Sequence, residues 1–165
     1  MTTENAATEN DEQISLPLDL TEWVEKTTLL EWIEEEVDKF DWKHPELEAY
    51  LSRHPEYRPK MLLCLLAYAY ATQVFTADEI VGKCNAEVIY RLICQDNPPT
   101  QKEVTRFRRE NRGLLKGLLV PVFIRALKSK FQLGDILLPP GLKRYLLDQA
   151  VERLDIARHM DRVEV

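Results

Sequence analysis

The feature that most constrains this chain is an unbroken apolar run from Met61 to Ala71, MLLCLLAYAYA, entered through Pro59. A helix that is apolar on every side has no face to give to water, so other elements or lipid must surround it. A lipid span needs about 20 apolar residues, and this run is too short. The run is therefore expected as the central helix of a domain, starting at Pro59, which suits a first helical position, and ending near Gln73. With only 5 glycines and no clear apolar–polar alternation, an all-β fold is excluded, since it needs a turn every ~8–12 residues. The expected class is all-α: a compact multi-helix domain with a disordered acidic N-terminus.

The remaining helices follow from periodicity and capping. Residues 1–15 are polar and acidic, with too little apolar surface to offset ordering entropy, and are expected to be a disordered tail. A first helix is expected from about Leu20 to Phe40, entered through Asp19 or Thr21. Trp23, Leu29, Leu30, Ile33, Val37 and Phe40 share one side, and glutamates occupy the others. Trp32 projects off that stripe and is the candidate partner-binding residue, because tryptophan is enriched at interface hot spots; packing on the central helix is the alternative. A short helix follows Pro45 and ends at His54-Pro55. Thr76 and Glu79 form a capping-box pattern for a helix over 77–83. Asn85 can cap another over 86–94, and Thr100 with Glu103 opens a long helical stretch. Gly113, Gly117 and Pro121 can bend that stretch, and Gly134 ends it. Pro139-Pro140 precede a last amphipathic helix over 142–160. The segments are thus 1–15 (tail), 16–57 (acidic helical arm), 58–134 (central helical domain) and 135–165 (linker and helix).

The N-terminus has neither a basic nor an apolar signal region, which with the lack of a membrane span points to the cytoplasm. Cys64, Cys84 and Cys94 have no CxxC spacing and are expected as free buried thiols. With His44, His54 and His159 they do not make a zinc ligand set. Glycine-rich phosphate loops and nucleophile elbows are absent. No metal, cofactor or catalytic residue is expected.

The formal net charge of −6 conceals an asymmetry. Residues 1–57 hold 16 acids against 4 bases, whereas Lys102 to Lys130 carries 9 bases and 2 acids. Such a division points to a nucleic-acid partner or to an acidic regulatory arm. Drawn as one helix, the stretch from Lys102 places Val104, Phe107, Leu114, Leu115 and Leu118 on one side. Lys102, Arg106, Arg108, Arg109, Arg112 and Lys116 fan across the other, with Arg108 bordering the apolar face. A helix that buries one face and presents cations on the other suits a phosphate backbone or a groove, and arginine can fork onto phosphate or guanine. These six are the candidate residues for contacting double-stranded DNA. Two other readings stay open: the cations pair with the acidic first helix, or they are simply solvated. The two short helices before the basic one also give a helix-turn-helix-like order, with the basic helix third.

Residues 58–132 resemble the N-terminal domain of insertion-sequence transposases of the InsH type. The matching strings are Arg58-Pro59-Lys60-Met61-Leu62-Leu63, the apolar helix with Tyr68, Phe75-Thr76-Ala77-Asp78-Glu79-Ile80, Arg91-Leu92-Ile93, and Pro99 followed by Val104-Thr105-Arg106-Phe107-Arg108-Arg109. Thr100 stands where that family usually has Asp, Glu103 where Thr is usual, and Asp78 where a base is common, so acids lie near the presumed DNA face. The resemblance implies a DNA-binding role in transposition. The family's catalytic part is a sheet-based domain holding three metal-binding carboxylates, and residues 135–165 carry only a linker and a helix. The expectation is a non-catalytic module, a truncated transposase or an accessory of transposition, with DNA, a second copy or a full-length transposase as partner. The alternative is a protein-interaction or oligomerisation module using the acidic first helix and the amphipathic last one. A combined reading has the acidic arm masking the basic helix.

Overall fold

The computed structural model describes residues 15–163. Residues 1–14, which make up nearly all of the expected tail, lie outside the described residues. Within the described residues a 3-10 turn, Leu20–Glu22, precedes eight α-helices. These are α1 (Lys26–Asp38), α2 (Pro45–Arg53), α3 (Pro59–Ala71), α4 (Ala77–Ala86), α5 (Val88–Cys94), α6 (Gln101–Glu110), α7 (Arg112–Lys130) and α8 (Pro140–Val163). No strand forms among them; Asp19 and Thr72 make an isolated antiparallel bridge. No helix is long and apolar enough to cross a membrane.

The apolar run is the centre of the fold. In α3, Leu62, Leu63, Leu65, Leu66 and every residue from Ala67 to Ala71 are buried, and α1, α5, α6 and α7 pack around it. Pro59 occupies its first turn, where the missing N–H costs nothing. The fold's other helix starts are likewise written locally. The His44 ring accepts the Glu46 N–H at 3.2 Å ahead of Pro45. The Thr76 hydroxyl accepts the Glu79 N–H at 3.1 Å.

Three expected helices differ in their bounds. The first does not run unbroken from Leu20. Asp19 Oδ1 accepts the Thr21 N–H at 2.9 Å and closes a 3-10 turn; the chain is extended at Glu25 and then restarts as α1. Asn85 does not cap α5. It lies inside α4, and its Nδ2 donates to the Val81 carbonyl at 3.0 Å, so the side chain turns back onto the preceding turn; Glu87 takes the extended position before α5. The long basic stretch divides at Asn111, which leaves helical geometry while its Nδ2 holds the Phe107 carbonyl at 2.9 Å. Leu114, expected on the apolar face of one continuous helix, is consequently 46% exposed. By contrast α7 continues as one helix through Gly113, Gly117 and Pro121. The residue four before Pro121, whose carbonyl the ring would strike, is Gly117, the residue with the most backbone freedom to yield.

The acidic segment is part of the core. Leu29, Leu30, Ile33 and Val37 of α1 are buried as the periodicity requires, against α3 and α7. One hydrophobic cluster extends from Leu16 to Ala157, continuous across the expected segment boundaries after 57 and after 134. The last helix, α8, lies along α7 and buries Leu146, Ala150, Leu154 and Ala157. Its stripe also contains Arg153, only 1% exposed. Its guanidinium donates to the carbonyls of Tyr70 (2.7 Å), Leu18 (2.9 Å) and Pro17 (2.8 Å), and stacks 4.8 Å from the centre of the Phe123 ring. Burial pushes its pKa down to about 10. Carbonyl oxygens thus hold this cation in place of a carboxylate, joining the N-terminal segment, the end of α3 and α8.

Candidate nucleic-acid interface

The orientation of α6 is set at its first turn. The Thr100 hydroxyl accepts the Glu103 N–H at 3.1 Å, and the Glu103 carboxylate accepts back from the Thr100 N–H and hydroxyl, a complete capping box. Glu103, an acid expected near the DNA face, is therefore occupied in starting the helix. Asp78 accepts from Gln101 Nε2 at 3.1 Å and ties α4 to α6. With the start fixed, Val104 and Phe107 turn into the core. Lys102, Arg106 and Arg109 fall within about 60° of one another on the outer face, at 100° per residue, and all three are exposed.

The six candidate cations then separate into two groups. Among the described residues, Lys102, Arg109 and Lys116 make no ion pair. Arg106 meets Glu110 at 3.3 Å along the same helix, with its own side chain 75% exposed, a pair that contributes little in water. These four are free to meet an external anion. Arg108 is not: it is buried, contrary to its expected place among the surface cations. Its guanidinium forks onto both oxygens of Asp161 on α8, and Nη1 donates to the Phe75 carbonyl at 2.6 Å. Burial works against its charge, but the hydrogen bonds and attraction of Asp161 more than offset this and raise its pKa. The physical reason is its border position on the wheel, which α8 covers. Arg112 is intermediate, half-buried and paired with Asp155 of α8.

Among the six candidate cations, the two with partners elsewhere in the fold, Arg108 and Arg112, thus pair with the last helix and not with the acidic first one. The acids of α1 look elsewhere. Glu35 and Glu36 meet Arg125 of α7 at 2.7 and 3.6 Å, and Asp38 meets Lys60 at 3.9 Å. Among the described residues, no acid of α1 pairs with Lys102, Arg106, Arg109 or Lys116. Trp32 is half-buried, packs on the core, and carries the Arg125 guanidinium 5.1 Å above its ring. The thiols are free: Cys84 and Cys94 are buried and Cys64 is half-buried. Burial pushes the pKa values of Cys64 and Cys84 up to about 12, which keeps both protonated.

The family model for the transposase domain (DUF772) matches residues 18–110. The chain belongs to that transposase domain family. The match begins forty residues before the segment that resembled InsH-type transposases, and takes in α1 to α6. That span agrees with the packing, because α1 closes one side of the central helix. It ends at Glu110, where α6 itself ends. No curated protein and no solved structure matches the chain significantly.

Two features of α8, beyond the matched residues, were not among the sequence expectations. Arg153 stands in the apolar stripe of the last helix, at the spacing of Leu146, Ala150 and Leu154, and an arginine in a stripe is a readable sign of a buried cation. Asp155 and Asp161 lie on the same last helix. Their task, holding Arg112 and Arg108, depends on how α8 meets α6 and α7, which no local pattern encodes.

Proposed function

We propose that this transposase domain is a non-catalytic DNA-binding module of transposition, contacting the phosphates of double-stranded DNA through Lys102, Arg106, Arg109 and Lys116. One observation carries the reading. The outer face of α6 presents three exposed cations in a narrow arc; Asp161 and Asp155 of α8 are engaged with Arg108 and Arg112, and the one acid paired within the arc, Glu110 with Arg106, forms only a solvent-exposed pair. A cation with no buried internal partner is the kind that releases counterions from a duplex on binding. Arg108 is withdrawn from the contact set, and Arg112 contributes to the field from the edge. The family supports a role in transposition. The preceding short helices, α4 and α5, support a helix-turn-helix-like placement of α6 against a groove.

The test is duplex binding across salt. The logarithm of affinity falls with the logarithm of salt by about 0.9 for each phosphate neutralised. The Arg106→Glu, Arg109→Glu double variant is expected to flatten that slope by about 2. A slope that stays the same in the double variant sinks the assignment of this face.

A further inference from the structure

A second cationic site lies in the seam between α6 and α8, inward of the outer face. A cavity of about 560 Å³ is walled by Arg108, Arg109 and Arg112 on one side and by Arg158 and Arg162 on the other. Its own carboxylate is Asp161, and Asp155 engages Arg112 and Arg158 from the rim. Five guanidinium groups thus share two carboxylates. In a concavity with apolar walls, here Leu154 and Ala157, like charges repel more strongly than on an open surface.

An independent observation points into the same cavity. Tyr70 reaches it from α3, is wholly buried, and its hydroxyl makes no hydrogen bond of good geometry. The Arg108 guanidinium lies close enough to act on that oxygen as a donor, but a guanidinium only donates, so the phenolic proton is left without an acceptor. Buried O–H groups are normally satisfied. An oxyanion in the cavity supplies the acceptor that Tyr70 lacks and the negative charge that the arginines lack.

We propose that this seam cavity binds a phosphate-class oxyanion. Arg109, Arg158 and Arg162 close on its oxygens and the Tyr70 hydroxyl donates to it from the floor. Arg108 and Arg112, held by Asp161 and Asp155, supply field without moving. The anion comes either from a nucleic-acid backbone or from solution. The site shares Arg109 with the outer face of α6 but stands without the DNA reading, because a free anion fills it equally well.

The test is calorimetric titration of the full chain with inorganic phosphate at constant ionic strength, against chloride. One saturable site is expected. Tyr70→Phe is expected to weaken it about tenfold, while the thermal midpoint without phosphate changes little, since the hydroxyl proton has no acceptor to lose. Arg162→Gln, at an exposed position with no ion pair among the described residues, is expected to weaken it by about the same factor. Phosphate binding no stronger than chloride, or unchanged in both variants, overturns the site. Labelled duplex then separates the sources. A matching loss of duplex affinity in Arg162→Gln assigns the anion to the backbone; phosphate binding lost with duplex affinity kept assigns it to solution. Duplex binding with no phosphate site removes this inference and leaves the DNA reading standing. Saturable phosphate with no duplex binding does the reverse.

Discussion

Arg108 and Arg109 are adjacent residues of one type on one helix, and the fold uses them in opposite ways. Arg108 is buried, forked onto Asp161 and bonded to the Phe75 carbonyl. Arg109 is exposed and, among the described residues, has no ion pair. A rotation of 100° about α6 separates a cation that holds the last helix in place from one that can hold something outside the molecule. Charge counted along the chain does not distinguish them; the position of α8 does. The same contrast divides Arg112, half in the seam, from Lys116, outside it.

The largest expected effect comes from breaking the inner member of the comparison. Asp161→Ala leaves the Arg108 charge buried and unpaired. A loss of about 2–4 kcal/mol in urea unfolding is expected, toward the lower end because the Asp161 side chain is 23% exposed. Arg109→Ala should change stability by less than about 0.5 kcal/mol. Equal costs for the two would erase the distinction. The outer member is broken by charge reversal: Arg106→Glu with Arg109→Glu is expected to lower duplex affinity about 10–100-fold at low salt while leaving the urea midpoint in place.

A pH effect of intermediate size follows from the buried tyrosines of α3. Burial pushes the pKa values of Tyr68 and Tyr70 up to about 12 from 10. The folded state therefore keeps protons that the unfolded state releases. Their contribution is fully present below about pH 10 and is lost as pH rises toward 12, up to about 2 kcal/mol for each. Between pH 9 and about 12 the wild type should lose stability relative to Tyr68→Phe, which has no phenol to ionise; parallel curves would contradict the burial. A smaller effect is expected at Arg125, a middle case whose partners are Trp32 at 5.1 Å and Glu35 at 2.7 Å on a half-exposed surface. Arg125→Ala should cost about 1 kcal/mol or less, measured by thermal unfolding.

Helix identity was legible wherever one residue decides a local event. The run from Met61 to Ala71 marked the centre, Pro59 its start, and Thr100 with Glu103 the start and phase of α6. The outer face of α6 could be read from that phase alone. What could not be read depends on competition between local bonds or on tertiary contact. Asn85 and Asn111 each could cap forward or bond backward, and both bond backward, which extends α4 and splits the basic stretch. The 3-10 turn at Leu20 arises from a two-residue Asp19–Thr21 bond that a helical wheel does not represent. The acidic arm looked separate because charge dominates its composition, yet Leu29, Ile33 and Val37 place it inside the core. Removing residues 1–57 to unmask DNA binding would thus strip one wall from α3, and point variants must take the place of that truncation.

The most direct measurement is fluorescence anisotropy of a labelled duplex titrated with the full chain from low to high salt, for the wild type, Arg106→Glu with Arg109→Glu, and Lys102→Ala. The account predicts salt-sensitive binding whose slope flattens in the double variant, and by about 1 in the single one, with folding unchanged in both. Absence of salt-sensitive binding at low salt, or equal slopes in all three proteins, would contradict the claim that the outer face of α6 meets DNA.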